Sequence, residues 1–208
     1  FWGMSEFLIP LLGFVATFTI FFGNLAACAQ QNIKRMLGLS GVAHAGYLLV
    51  AVMASMHFAG DSDRAVWVLF FYLFVYLLAS FAVFGVMGLA NLKDETEQQF
   101  SDYEDLARRH PWLGFVLVSG LGSLAGIPPF AGFIAKLLLI SVAYEANLYF
   151  SLAAMLIGVV ISIFYYFGWI REITFHPRPT FNDESNEEKE DPWAIIPRMG
   201  FLKFSLLA

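Results

Sequence analysis

The chain carries an ionisable side chain, Lys136, inside a long apolar stretch. A charge within the hydrocarbon region of a membrane is costly, so such a residue marks a functional site by default. The stretch is interrupted by helix-breaking residues: Gly126, Pro128, Pro129 and Gly132. A proline inside a helix removes one hydrogen bond and clashes with the carbonyl four residues earlier, so we expect freed carbonyls around Leu124 and Ala125. The sequence therefore predicts a discontinuous helix.

Lys136 follows Pro129 by seven residues, which is about two helical turns and brings it to the same face as the break. An amine beside freed carbonyls and water can release and regain a proton, and transporters build ion sites at such breaks. The alternative is a lysine that snorkels to the membrane surface near Glu145. Nine residues of helix, about 13 Å, separate the two positions, which favours the proton site. Because the chain has no other clear charge at this depth, we expect an acidic or other partner from outside its 208 residues.

His44 precedes Tyr47 by three residues in another apolar run. Histidine titrates near neutral pH and passes protons through either ring nitrogen, so His44 is a candidate proton relay. A hydrogen bond that joins two helices explains it equally well. Further along, Tyr72, Tyr76 and Ser80 share one helix face at intervals of four residues. Together with Tyr47 they form a candidate water wire, and packing with satisfied hydroxyls is the open alternative.

These residues lie in a chain dominated by apolar side chains. It is 59% hydrophobic, 17% aromatic and 14% charged, and its mean hydropathy is +0.67. A membrane-spanning helix needs roughly 20 apolar residues, and suitable runs fall at 7–29, 36–58, 65–91, 112–144 and 148–170. We predict an all-α, polytopic transmembrane helix bundle that forms a single domain over residues 1–208. A sixth run, 199–208, is too short to cross, so we expect the C-terminal part of a longer protein.

The orientation follows from the Lys and Arg residues of the loops, which are commoner on the cytoplasmic side. On one side of the predicted bundle lie Lys34, Arg35, Lys93, Arg108, Arg109, Arg171, Arg178 and Lys189. The opposite side has Arg64 alone. The acidic residues behind the net charge of −5 do not enter this rule. We therefore expect a multi-pass protein of the bacterial inner membrane with its basic loops in the cytoplasm.

Several other kinds of site are excluded by the same sequence. Cys28 is the single cysteine, and the four histidines are scattered, which argues against an internal disulfide and against a metal or iron–sulfur centre. The chain has no phosphate-cradling glycine loop, no nucleophile elbow and no basic stripe for nucleic acid. We predict no cofactor and no metal in this chain, no nucleic-acid partner, and contact with the lipid bilayer.

Two further predictions concern the ends of the spans. The tryptophans fall near these ends, as in an interfacial belt: Trp2, Trp67, Trp112, Trp169 and Trp193. Between the third and fourth runs, Ser101 precedes Glu104 by three residues, which is the spacing of a helix capping box. We expect a short helix after it that lies on the membrane interface through Leu106 and Trp112.

Two motifs of this chain resemble a known family. They are QNIKRMLGLSGVAHAGYLL, which ends at Leu49, and SLAGIPPFAGFIAK, which ends at Lys136. Both look like the C-terminal half of the antiporter-like subunits of respiratory complex I, most closely subunit N. The resemblance covers nearly the whole chain in order and spacing. One departure is Ala135, where many relatives have glycine, and it puts nothing essential in doubt.

The resemblance implies fourteen helices in two inverted five-helix repeats, of which this chain holds the ninth to the fourteenth, the last cut short. It implies that Lys136 is the terminal proton site of the broken twelfth helix and that His44 lies on a polar axis leading to it. The implied function is proton translocation by a membrane subunit of NADH:quinone oxidoreductase, with no redox chemistry in this chain. NADH, FMN, iron–sulfur clusters and quinone would then belong to partner subunits, and the direct partners would be other membrane subunits of complex I.

Two other functions stay open at this point. A subunit of a multisubunit cation/proton antiporter or of a membrane-bound hydrogenase would share the broken helix and its lysine. A structural membrane scaffold would use Lys136 only to pair with a neighbour.

Overall fold

The computed structural model describes residues 2–58, 63–89, 98–104 and 106–175. Seven α-helices occur in these ranges: α1 (Trp2–Cys28), α2 (Ile33–His57), α3 (Asp63–Leu89), α4 (Leu106–Arg109), α5 (Pro111–Ala125), α6 (Ala131–Glu145) and α7 (Tyr149–Phe175). A short 3₁₀ helix, Phe100–Tyr103, precedes α4. The sixth apolar run, 199–208, lies outside the described residues, as do Lys93, Arg178, Lys189 and Trp193.

Within the described part of the chain, α1, α2, α3 and α7 are each long and apolar enough to cross a membrane. Helices α5 and α6 have 15 residues each, or about 22 Å of helix, which is short of the roughly 30 Å hydrocarbon core. They follow one another across a break of five residues, 126–130, where the sequence predicts a single interrupted span. The prediction of an all-α transmembrane bundle with one discontinuous helix is therefore confirmed.

The helix bounds differ from the predicted runs by a few residues. Helix α2 begins at Ile33, three residues before the predicted run, because Asn32 caps it. The Asn32 side-chain oxygen accepts a hydrogen bond from the backbone N–H of Arg35 (3.1 Å), which satisfies one of the free donors of the first turn. Helix α1 starts five residues earlier and α7 ends five residues later than predicted. Counting apolar residues alone misses these polar ends.

The helices pack around the break. Helix α1 packs on α2 and α7, while α3 packs on α2, α5 and α6. Because α5 and α6 also pack on α7, the two half-helices lie between α3 and α7. One apolar cluster, which includes Met36, Leu121 and Trp169, fills the end of the bundle beside the 3₁₀ helix and α4. A second, which includes Met53, Leu139 and Met155, fills the other half. The break lies where the two clusters meet.

The prediction of an interfacial belt is wrong for Trp169. Trp67 and Trp112 have 74% and 67% of their surface exposed, as a belt requires, but Trp169 is fully buried. The rings of Phe100 and Tyr103 meet its indole edge-on, with centroids 5.9 and 5.5 Å away. The segment before α4 therefore folds over the end of α7 and covers this side chain. Such a tertiary contact cannot be inferred from a position near a span end.

The predicted capping box was also wrong. Gln99 and Asp102 form it, two residues before the predicted pair, and the Gln99 N–H donates to the Asp102 carboxylate (2.8 Å). Ser101 lies inside the 3₁₀ helix instead. Leu106 and Trp112 are predicted to place a short helix on the interface; Trp112 is exposed, but Leu106 is fully buried. The short helices thus belong to the core at this end of the bundle.

Candidate functional site

The break begins where α5 ends at Ala125. Gly126 has φ 79° and ψ 42°, a left-handed conformation that favours glycine, and the Ile127 N–H donates back to the Gly122 carbonyl (2.9 Å). Pro128 and Pro129, joined by a cis peptide bond, then occupy the positions whose N–H groups would otherwise continue the helix. A glycine turn and two missing donors therefore stop the helix here.

Helix α6 begins in direct contact with the end of α5. The backbone N–H of Gly132 donates to the Ser123 hydroxyl oxygen (3.1 Å), which satisfies one of the free donors of the first turn of α6. A Cβ atom at Gly132 would overlap the Ser123 carbonyl oxygen. Glycine is thus required at this point because the two half-helices approach closely.

Lys136 lies one turn after Gly132 and its side chain is buried, with 4% of its surface exposed. Its Nζ donates to the carbonyl oxygens of Leu124 (3.0 Å) and Ala125 (2.8 Å). These two carbonyls lie four residues before Pro128 and Pro129, so no backbone N–H of a continuing helix is available to them. The lysine amine therefore occupies the hydrogen-bonding positions that the proline pair leaves open.

Two other groups surround the Lys136 amine. Nζ also donates to the Ser162 hydroxyl of α7 (3.4 Å), and it lies 5.6 Å from the centre of the Tyr47 ring of α2. An aromatic face at this distance attracts a cation. Among the residues that the structure describes, no carboxylate forms an ion pair with Lys136. An acidic partner from outside the chain stays a prediction.

His44 packs against α3 close to this amine. Its Nδ1 and the Tyr72 hydroxyl are 2.6 Å apart, and the Tyr76 ring is 4.7 Å away between centroids. Tyr47 meets the imidazole edge-on at 5.9 Å. The structure thus brings together four of the five residues predicted as a proton relay and water wire. Ser80 is half-buried and does not line the cavity at this site.

A small cavity joins His44 to Lys136. Its volume is about 10 Å³, which is at the lower limit for holding one water molecule, and Tyr72 and Ser123 lie among the residues around it. Gly132 lines it as well. No three His, Cys, Asp or Glu side chains are grouped to hold a metal ion within the described ranges.

Several polar residues near the site escaped the sequence reasoning. Asn24 of α1 is fully buried and accepts a hydrogen bond from the Tyr165 hydroxyl of α7 (3.3 Å). The hydroxyls of Ser40 and Tyr166 are 2.6 Å apart, and Ser162 reaches Lys136. The sequence marks each of these residues only as an amide or hydroxyl group within an apolar span. Its partner lies on another helix, and local spacing cannot identify it.

Comparison with known proteins places the chain in a family. The family model described as "NADH:quinone oxidoreductase/Mrp antiporter, TM" matches residues 1–162. NADH-quinone oxidoreductase subunit N 1 of Opitutus terrae is 51% identical over 166 residues, which are 80% of this chain and 32% of that protein. The chain thus spans about a third of the length of this relative.

Two solved structures share the fold. A chain of respiratory complex I from Thermus thermophilus superposes with a TM-score of 0.70 at 30% identity, over 82% of this chain and 37% of that one. A chain of the Mrp complex from Dietzia sp. gives a TM-score of 0.71 at 25% identity, over 86% and 32%. With the family model covering most of the chain, the protein belongs to the NADH:quinone oxidoreductase/Mrp antiporter transmembrane family, and within it resembles subunit N of NADH-quinone oxidoreductase.

Proposed function

We propose that this chain is part of a proton-translocating membrane subunit of NADH:quinone oxidoreductase and that Lys136 is its proton site. The observation that carries the proposal is the buried amine on the carbonyls of Leu124 and Ala125, beside a cavity shared with His44. Carbonyl oxygens accept hydrogen bonds from a charged and from a neutral amine alike. Lys136 can therefore bind and release a proton without leaving its position.

His44 is the relay that delivers protons to Lys136 in this proposal. Its imidazole has two nitrogens, and Nδ1 is engaged with the Tyr72 hydroxyl, so the other is available for transfer through the cavity. Tyr76 lines the same cavity, and the Tyr47 ring lies beside the imidazole, 5.9 Å away between centroids. A change in charge elsewhere in the complex would then expel the proton from Lys136 to the outside.

The orientation and the partners are part of the same proposal. The chain lies in the bacterial inner membrane with its Lys- and Arg-rich loops in the cytoplasm, which the uneven distribution of these residues supports. Its partners are the other membrane subunits of complex I. NADH, FMN, iron–sulfur clusters and quinone belong to partner subunits, and this chain carries out no redox step.

The test is the Lys136→Ala variant of the full-length subunit in native membranes. Two quantities are measured: the amount of assembled complex, and the rate of NADH-driven proton translocation per assembled complex. We expect translocation per complex to be lost while assembly persists. Unchanged translocation in Lys136→Ala would remove Lys136 from the pathway.

A second candidate function is supported by the similarity to the Mrp complex chain, whose TM-score equals that of the complex I chain within 0.01. A cation/proton antiporter or a hydrogenase subunit would use the same lysine. Mass spectrometry of what co-purifies with the full-length protein separates these functions. Flavin and iron–sulfur subunits for NADH oxidation support complex I, whereas small antiporter subunits or hydrogenase partners support the alternative. A pure scaffold predicts instead that Lys136→Met impairs assembly and leaves coupling intact.

A further inference from the structure

The buried amide of Asn24 has all of its hydrogen-bonding groups engaged. Its Nδ2 donates to the Ile20 carbonyl one turn earlier (2.9 Å) and, over a longer distance, to the Tyr47 hydroxyl (3.4 Å). Its Oδ1 accepts from the Tyr165 hydroxyl (3.3 Å). A polar side chain that is fully buried in an apolar helix is costly unless it is satisfied in this way. Asn24 thus ties α1 to both α2 and α7.

Tyr47 connects this amide to the proton site. Its hydroxyl is held by Asn24, while the face of its ring lies 5.6 Å from Lys136 Nζ. The side chain is almost fully buried, with 1% of its surface exposed. A tyrosine side chain has only two rotatable torsions, so fixing its hydroxyl end restricts the orientation of the ring. The position of the ring over the amine therefore depends on the group that holds the hydroxyl.

Gly158 of α7 leaves space for this pair. A Cβ atom at Gly158 would lie 2.7 Å from the Tyr47 hydroxyl and 3.0 Å from Asn24 Nδ2. The same atom would lie 2.7 Å from Ile20 Cγ2. All three distances are shorter than ordinary contacts, so a larger residue would displace side chains of this group. The position of Tyr47 on α2 thus depends on two other helices. Helix α1 provides the amide that bonds its hydroxyl, and the glycine of α7 leaves room for it.

We infer that Asn24 is a positioning residue for Lys136 and that it acts through Tyr47. It holds the ring where its electron-rich face stabilises the ammonium while the lysine carries its proton. This inference rests on the proposed function, because it assigns a role in the proton cycle of the same lysine. Asn24 itself does not reach the amine.

The test compares Asn24→Leu, Tyr47→Phe and the double variant in membranes that contain the complete complex. Leucine keeps the approximate volume of asparagine and removes the amide. Phenylalanine keeps the ring and removes only the hydroxyl. We expect each single variant to lower proton translocation per assembled complex by roughly 2- to 20-fold, the range of a partly lost cation–π contact. Because both changes remove the same hydrogen bond, the double variant should be no slower than the slower single variant.

Two matched controls accompany these variants. Thr17→Val removes another buried hydroxyl of α1, one that has no hydrogen-bond partner in the described part of the chain, and it should leave translocation unchanged. Gly158→Ala should slow translocation per complex as Asn24→Leu does. Gly168→Ala, on the same helix but with nothing within 4 Å of its added Cβ, should not.

The outcomes separate this inference from the proposed function. If Lys136→Ala stops translocation but Asn24→Leu and Tyr47→Phe do not slow it, the positioning role is wrong and the proton site stands. If Asn24→Leu lowers only the amount of assembled complex, Asn24 is a structural link between helices and the inference is overturned. If the fold-decrease in translocation of the double variant equals the product of the two single decreases, Asn24 does not act through Tyr47. If Lys136→Ala still translocates protons, the proposed function is wrong, and the inference that rests on it is wrong as well.

Discussion

Replacing Gly132 with alanine should separate the two half-helices at their closest contact. The added Cβ would overlap the Ser123 carbonyl oxygen, which belongs to the last turn of α5 and cannot rotate away. The start of α6 must therefore move. This shift also breaks the hydrogen bond from the Gly132 N–H to the Ser123 hydroxyl (3.1 Å). Lys136 lies one turn later and would move with it.

The loss in the free energy of unfolding follows from the steric overlap and from the broken hydrogen bond. Overpacking of a well-packed site costs about 1–3 kcal/mol, and one lost hydrogen bond costs about 1 kcal/mol. We expect Gly132→Ala to destabilise the protein by about 2–4 kcal/mol, which lowers the apparent Tm by roughly 4–16 °C for a chain of this size. Translocation per assembled complex should fall as well, because the lysine loses its position over the Leu124 and Ala125 carbonyls.

The assay is thermal unfolding of the detergent-solubilised protein together with proton translocation in native membranes. Gly168→Ala is the matched control, since the added Cβ meets nothing within 4 Å and alanine favours a helix by about 1 kcal/mol over glycine. Its apparent Tm should stay equal or rise. Equal apparent Tm values and translocation rates for Gly132→Ala and Gly168→Ala would refute a direct contact between α5 and α6 at this point.

Two further predictions concern hydrogen-bonded and charged pairs. Tyr72→Phe removes the hydroxyl that lies 2.6 Å from His44 Nδ1, and it should slow translocation per assembled complex about 5- to 10-fold, as expected for one lost hydrogen bond. Tyr76→Phe keeps the ring that contacts His44 and should have a smaller effect; equal effects would contradict the relay geometry. Arg64→Ala removes the exposed ion pair with Glu145 (2.6 Å), whose side chains are 60% and 39% exposed. The free energy of unfolding should fall by less than about 1 kcal/mol, and translocation should be unchanged. A fall of several kcal/mol would show that the pair is buried in the full protein.

The break and its lysine could be predicted because their chemistry is local. Pro128 and Pro129 remove two N–H groups at fixed positions, so the freed carbonyls are known from the sequence alone. Lys136 follows the proline pair by two helical turns, so it lies on the same face as the freed carbonyls. The apolar runs likewise predict the spans, because membrane thickness fixes helix length. These features need no knowledge of how the helices pack.

The rest of the site depends on contacts between distant segments. Asn24 and Tyr165 meet across 141 residues, and Lys136 and Ser162 meet on neighbouring helices. No local spacing encodes these pairs. The error at Trp169 has the same origin, since Phe100 and Tyr103, about 70 residues away in the sequence, pack against its indole. Polar residues inside apolar spans can be recognised from sequence, but their partners require the fold.

Proton translocation by the Lys136→Arg variant of the full-length subunit in its complex shows whether Lys136 itself exchanges the translocated proton. Arginine keeps a positive charge and hydrogen-bond donors at the break, but it stays protonated in proteins and cannot exchange a proton. If Lys136 binds and releases the translocated proton, Lys136→Arg should assemble and fail to translocate, as Lys136→Ala does. Translocation at the wild-type rate in Lys136→Arg would show that the site needs only a fixed charge and that Lys136 is not the proton site.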